Sequence, residues 1–196
     1  MSTRNLTLIV ILAVVLIFGG CACNGYNGMV KLDENTKGKW GNVQSEYQRR
    51  TDLIPNLVNT VKGAANFEQT TLTNVIEARA KATQVKIDAN DLSPEKIAQF
   101  QAAQSQVTGA LGRLLAVAEN YPDLKATQNF RDLQAQLEGT ENRIKVARND
   151  FNGAVQDYNS TARRFPNSIF AGLFGFHAKG YFQSEPGSDK APDVKF

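Results

Sequence analysis

Between Tyr26 and Ala64, apolar side chains recur in alternating steps of three and four residues, and this spacing constrains the fold more than any other feature. One row is Tyr26, Asp33, Trp40, Tyr47, Ile54 and Val61; its companion is Met29, Thr36, Val43, Arg50, Leu57 and Ala64. Both rows fall on one face of a helix, as in a coiled-coil seam. Val30 and Val58 widen the stripe. The spacing predicts a first helix over residues 24–64, roughly 60 Å long at about 1.5 Å per residue. Pro55 lies inside it, where the missing N–H removes one backbone bond and predicts a kink.

The same period continues downstream. Leu72, Val75, Ile76, Ala82 and Val85 predict a second helix over 67–88, after a weak break at Gly63-Ala-Ala-Asn66-Phe67. The seam phase also runs through that break, so one kinked helix of about 65 residues is the alternative. Ser93-Pro94-Glu95 reads as a helix start, with Ser as N-cap and Pro at the first helical position. The third helix, 94–120, carries Ile97, Phe100, Gln104, Val107, Leu111, Leu114, Ala118 and Tyr121. The fourth, 124–163, carries Phe130, Leu137, Ile144, Phe151, Val155, Tyr158 and Ala162, and ends before Phe165-Pro166. No strand pattern competes. The expected fold is all-α: a long antiparallel bundle of four coiled-coil-like helices behind an N-terminal membrane anchor.

Residues 6–23 supply that anchor, an uncharged run of 18 positions at the lower edge of the roughly 17–25 residues that span a bilayer. Arg4 bounds it on one side and Tyr26 on the other. A retained single-pass helix is the first reading. The alternative is a lipoprotein signal: a basic start, an apolar stretch over 6–18, then Gly19-Gly20 before Cys21, which would be lipidated. Lys and Arg are too evenly placed on the two sides to fix the orientation. Cys21 and Cys23 are the only cysteines, so the folded part has no disulfide framework. The chain divides into 1–25, the anchor or signal; 26–164, the bundle; and 165–196, an aromatic-rich tail.

Charge and motif content exclude more than they assign. A net charge of +3 spread along the chain argues no nucleic-acid partner. The single histidine, His177, lies outside the helices and reads as an exposed tail residue. No Gly-rich phosphate loop, zinc-protease motif or nucleophile elbow is present. No catalytic, cofactor or metal site is read from the chain. Five charges do fall at inward phase: Asp33, Arg50, Arg79, Glu141 and Arg148. They read as a buried ionic network that fixes register; a ligand-binding or sensory site is the alternative.

Six of the eleven phenylalanines lie in the tail: Phe165, Phe170, Phe174, Phe176, Phe182 and Phe196. That density predicts packing across the bundle's end. Contact with the membrane interface, with Lys179 and Tyr181 at headgroup level, or with a partner protein are the alternatives. Phe170, Leu173, Phe174 and Phe176 are the candidate contact residues. Residues 185–196, with Gly and two prolines, are expected to be extended or mobile.

The residues above resemble the LemA family of bacterial membrane proteins. The resemblance is carried by Tyr26-Asn27 just after the apolar run, Trp40, and Gln48-Arg-Arg-Thr-Asp-Leu-Ile-Pro-Asn-Leu-Val58 followed by Val61-Lys62-Gly63. Glu77-Ala-Arg79, Tyr121-Pro122, Tyr158-Asn159 and Arg164-Phe-Pro166 add to it, as do Ala171-Gly-Leu-Phe-Gly-Phe176, Tyr181-Phe182, Lys190-Ala-Pro192 and Lys195-Phe196. It covers essentially the whole chain and implies a short anchor, a long helical bundle and no established enzymatic activity. Cys21 and Cys23 depart from the family pattern and keep the lipoprotein option open. The expected partners are membrane lipid, through the anchor, and other envelope proteins; a homo-oligomer is left open. The expected function is a membrane-anchored, non-catalytic scaffold or interaction protein of the envelope.

Overall fold

A computed structural model describes residues 3–63 and 67–184; several side chains between residues 3 and 21, that of Cys21 among them, also fall outside the description. The proposed lipidation at Cys21, the seam position Ala64 and the expected extended end over 185–196 therefore lie outside the described residues. Six helices and no strand are found among those described: α1 Thr3–Lys62, α2 Gln69–Gln84, α3 Pro94–Ala118, α4 Pro122–Ala126, α5 Gln128–Arg163 and α6 Asn167–Leu173.

Helix α1 joins the apolar run and the first seam in one 60-residue element, with no break at the 25/26 boundary. Its inward face is the predicted pair of rows: Met29, Thr36, Trp40, Val43, Tyr47, Arg50, Ile54, Leu57 and Val61 are all buried. Tyr26, at the edge, remains 42% exposed.

Helix α5 runs antiparallel to α1. Lys39 pairs with Asp150 at 2.8 Å, Glu46 with Arg143 at 3.1 Å and Arg50 with Glu141 at 2.8 Å, one partner's number falling as the other's rises. Thr36 adds a side-chain bond to the α5 backbone, its hydroxyl donating to the Ala154 carbonyl at 3.4 Å. Helix α2 turns back along α1, where Arg79 meets Thr51 and, beyond the helix, Ile87 meets Gln44. Helix α3 returns alongside, with Phe100 against Tyr47 and Gln104 against Arg50.

Three apolar clusters stack along this arrangement. The distal one joins Ile54, Leu57 and Val61 to Leu72, Val75, Leu111, Leu114, Phe130 and Leu137. The middle one is aromatic, built on Trp40, Tyr47, Phe100, Phe151 and Phe182. The third, nearest the apolar run, joins Met29, Tyr158, Ala162 and Ala171.

Three details correct the sequence reading. The predicted fourth helix is divided at Thr127, whose extended backbone closes α4 and whose hydroxyl accepts from the Phe130 N–H to start α5. Ile76 faces outward, 45% exposed; α2 buries Thr71, Leu72, Val75, Ala78 and Ala82 instead. Ser93 and Pro94 do begin α3, but the Ser93 side chain makes no capping bond; its carbonyl accepts from Ile97.

Candidate functional site

Arg50 is 1% exposed and joins three helices. Its Nη1 donates to Thr108 Oγ1 at 2.9 Å and to Glu141 Oε1 at 2.8 Å. Its Nη2 donates to the side-chain and backbone oxygens of Gln104, at 2.5 and 3.2 Å. The guanidinium lies over the Tyr47 ring, 4.9 Å from its centroid. A charge so enclosed is tolerable only when paired and hydrogen-bonded. Arg148 approaches the same tyrosine: burial pushes the Tyr47 hydroxyl pKa up, while Arg148 and Arg50 pull against it.

The five charges predicted at inward phase occupy distinct places, and of them only Arg50 is fully buried; the Glu141 side chain is 41% exposed. Arg50 and Glu141 meet, with Arg148 close to them around Tyr47. Arg79 makes no ion pair in this set; its Nε donates to the Thr51 carbonyl at 3.1 Å. That carbonyl stands four residues before Pro55, which has no N–H to offer it. Arg79 therefore fills the gap that the proline leaves in the α1 ladder. Asp33 lies nearer the apolar run, paired with Lys37 and with Lys179, each at 2.8 Å.

Lys179 belongs to an extended strap, residues 177–184, that runs back along the bundle. Gly175, at φ +77, makes the reversal after α6, and the Phe176 N–H donates to the Ala171 carbonyl to close that helix. Three side-chain amides then grip the strap backbone with paired bonds. Asn159 donates to the Lys179 carbonyl and accepts from its N–H, both at 2.9 Å. Asn152 does the same for Phe182, both at 2.9 Å. Gln101 does so for Gln183, at 2.8 and 2.9 Å.

Geometry explains the spacing. Two heptad-related asparagines on α5 are separated by seven residues, about 10 Å of helix; their partners on the strap are three residues apart, about 10 Å of extended chain. Gly180 completes the fit. Its N–H donates to the Leu92 carbonyl at 2.8 Å, and a Cβ there would come within 2.6 Å of the Pro94 Cα. Phe182 inserts among Trp40, Phe100 and Phe151, and Arg148 covers it, 4.8 Å from the ring centroid.

Lys179 is 7% exposed, held between Asp33 and the Tyr158 ring, so it does not sit at headgroup level. Burial raises the Asp33 pKa, but hydrogen bonds from Lys179 and Lys37 outweigh it and hold the carboxyl below its usual range. Burial, together with the nearby Asp33 charge, pushes Tyr158 up to about 12.

The end of the bundle beside the apolar run has a different character. Helix α6 lies against α1 where Asn167 meets Gly25 and Phe174 meets Tyr26, ring centroids 5.1 Å apart. Of the four candidate contact residues, Phe170 and Phe176 are half-buried, whereas Leu173 and Phe174 are exposed. Phe165 and Ile169 are exposed as well. The strap thus packs on the bundle while α6 turns apolar side chains outward. His177 is exposed. Among the described residues no group of three His, Cys, Asp or Glu is placed to hold a metal ion.

Sequence reading missed Asn152, Asn159, Gln101 and Gly180, because their partners lie on a distant, non-periodic segment. Tyr158-Asn159 and Tyr181-Phe182, both among the motifs that carry the family resemblance, are the pointers to it in the chain.

Two magnetosome proteins of Paramagnetospirillum magneticum, MamQ 1 and MamQ 2, are each 27% identical across 84% of this chain and 66% of their own length. MamQ of Magnetospirillum gryphiswaldense is 25% identical over the same shares. Protein LemA of Metamycoplasma hominis is 24% identical across 72% of this chain and 61% of its own. The chain thus spans slightly less than two thirds of the length of these relatives. The LemA family pattern matches residues 39–196, which takes in the seam from Trp40 onward, all the amides that hold the strap, and α6. The chain belongs to the LemA family.

Proposed function

We propose that this protein is a membrane-anchored, non-catalytic helical scaffold of the bacterial envelope, held by residues 6–23 and presenting its bundle to other envelope proteins. One observation carries the reading: Leu8, Ile9, Ile11, Leu12, Val15 and Leu16 are between 49% and 66% exposed on the same unbroken helix that enters the bundle. Moving six such side chains from water into lipid is favourable on the order of 10 kcal/mol. Among the described residues no helix is long and apolar enough to cross a membrane. Spanning therefore requires the whole 6–23 run, including side chains outside the description; a lipid on Cys21 would anchor the chain at the same place.

The relatives are named for the magnetosome and for the family itself, and neither name states a reaction. The bundle's buried charges are engaged internally. Arg50 already bonds Gln104, Thr108 and Glu141, which favours the scaffold over the alternative of a ligand-binding or sensory bundle.

The test is crosslinking in intact cells, followed by detergent extraction of the full chain and mass spectrometry of what accompanies it. A reproducible, stoichiometric envelope protein is the expected result. Recovery of lipid alone, or only of chain crosslinked to itself, would remove the partner-binding part of the reading.

A further inference from the structure

Ile169 and Leu173 on α6, and Phe165 in the turn just before it, are 56%, 77% and 81% exposed. A spacing of four places Ile169 and Leu173 on one face of α6, and Phe165 adds an exposed ring in the turn that leads into it. The other side of α6 is committed, through Ala171 in the core and through Asn167 and Phe174 against α1. These contacts fall at Gly25 and Tyr26, two to three residues beyond the end of the apolar run, or about 5 Å along the helix. Exposed Arg163 and Arg164 immediately precede the face.

We propose that this α6 face is a second membrane contact, seated in the headgroup and upper acyl region of an anionic bilayer beside the emerging anchor. The proposal rests on the anchored reading above. Its occupant is lipid rather than protein because the patch lies level with the point where the apolar helix leaves the bundle, so a bilayer holding that helix is already at hand. Large apolar side chains directly preceded by two cations also suit an interfacial segment: apolar face in the acyl boundary, arginines at the phosphates. The contact fixes the bundle's tilt, which a single helical tether leaves free. A lipid at Cys21 would give the same placement.

The experiment places a photoreactive diazirine side chain at Ile169 in the full-length chain, reconstituted in vesicles of phosphatidylethanolamine and phosphatidylglycerol. Lipid adducts are counted by mass spectrometry. Val146, 61% exposed on α5, takes the same probe as the background position. Flotation of the vesicles after an alkaline carbonate wash reports the anchor separately. The proposal expects flotation, at least tenfold more lipid adducts at 169 than at 146, and their loss when Phe165→Asp and Leu173→Asp are introduced together. Flotation with background-level adducts at 169, or adducts at 169 to protein instead of lipid, overturns the proposal and leaves the anchor standing. Adducts at 169 without carbonate-resistant flotation would uphold the contact and overturn the anchor.

Discussion

A single carbonyl oxygen links Pro55 on α1 to Arg79 on α2. The proline cannot donate to Thr51, and the Arg79 Nε does so instead. Removing Arg79 leaves that buried acceptor unmet, a loss of about 1–3 kcal/mol. Arg79→Ala should therefore destabilise the chain by about that amount, but by less than half of it in a Pro55→Ala background, where the new N–H serves Thr51. Denaturant unfolding of the four-member cycle reads the coupling; additive losses would show that Arg79 acts elsewhere. Arg50 poses the complementary case. Glu141→Leu strips a buried guanidinium of its counter-charge, costing about 1–3 kcal/mol, less than a fully enclosed pair because water reaches Glu141. The double change Arg50→Met with Glu141→Leu should recover most of that stability, since packed apolar residues often replace such a pair at little cost. A double variant as unstable as Glu141→Leu alone would mean that Arg50 does more than hold register.

At the scale of elements, the strap is held by directional bonds and the long helices by periodic burial. Asn159→Ala strands one strap N–H and one carbonyl, and Gly180→Ala drives a methyl into Pro94. Each should speed hydrogen exchange at the Lys179 and Phe182 amides at least about fivefold, the factor for roughly 1 kcal/mol, while amides of α2 keep their protection. Acid should loosen the same element. Asp33 is held below its ordinary value of 3.8 by Lys179 and Lys37, against the upward push of burial. Its contribution is therefore present above that value and is lost as pH falls through the lower folded one. Protection factors at residues 179–182 should drop over that acid range, and Asp33→Asn should remove the step while lowering protection at neutral pH. This contrast also sets what the amino-acid order revealed. Every predicted seam residue from Ile97 to Ala118 is buried, because a helix repeats its inward face at fixed steps. The strap was invisible as such, because its address is written in amides at 101, 152 and 159 whose partners are known only once α3 and α5 are side by side. Arg79 is half-buried and reaches α1, where its partner is a backbone oxygen that no charge pattern announces.

On the scale of the whole molecule, α1 is one rod of 60 residues, roughly 90 Å long at about 1.5 Å per residue. Its first part bears exposed apolar side chains, its middle meets α6 and the end of α5, and its last part seats α2 and α3. A continuous helix transmits position without slack, so under the anchored reading proposed above the height of α6 over the bilayer is set by the number of residues between the apolar run and Gly25. Inserting alanines after Cys23 tests this without touching a bundle contact. One alanine lifts the bundle by about 1.5 Å and turns it by about 100° around the rod, whereas seven lift it by about 10 Å and nearly restore its phase. If α6 rests on lipid, height is what matters: lipid adducts at position 169 should survive the single insertion and fall at least fivefold with seven. The opposite order would say that azimuth, not height, controls the contact. The apolar face of α6 would then be turned toward a neighbouring protein at a fixed angle around α1, and the bundle would stand off the membrane on its own stalk.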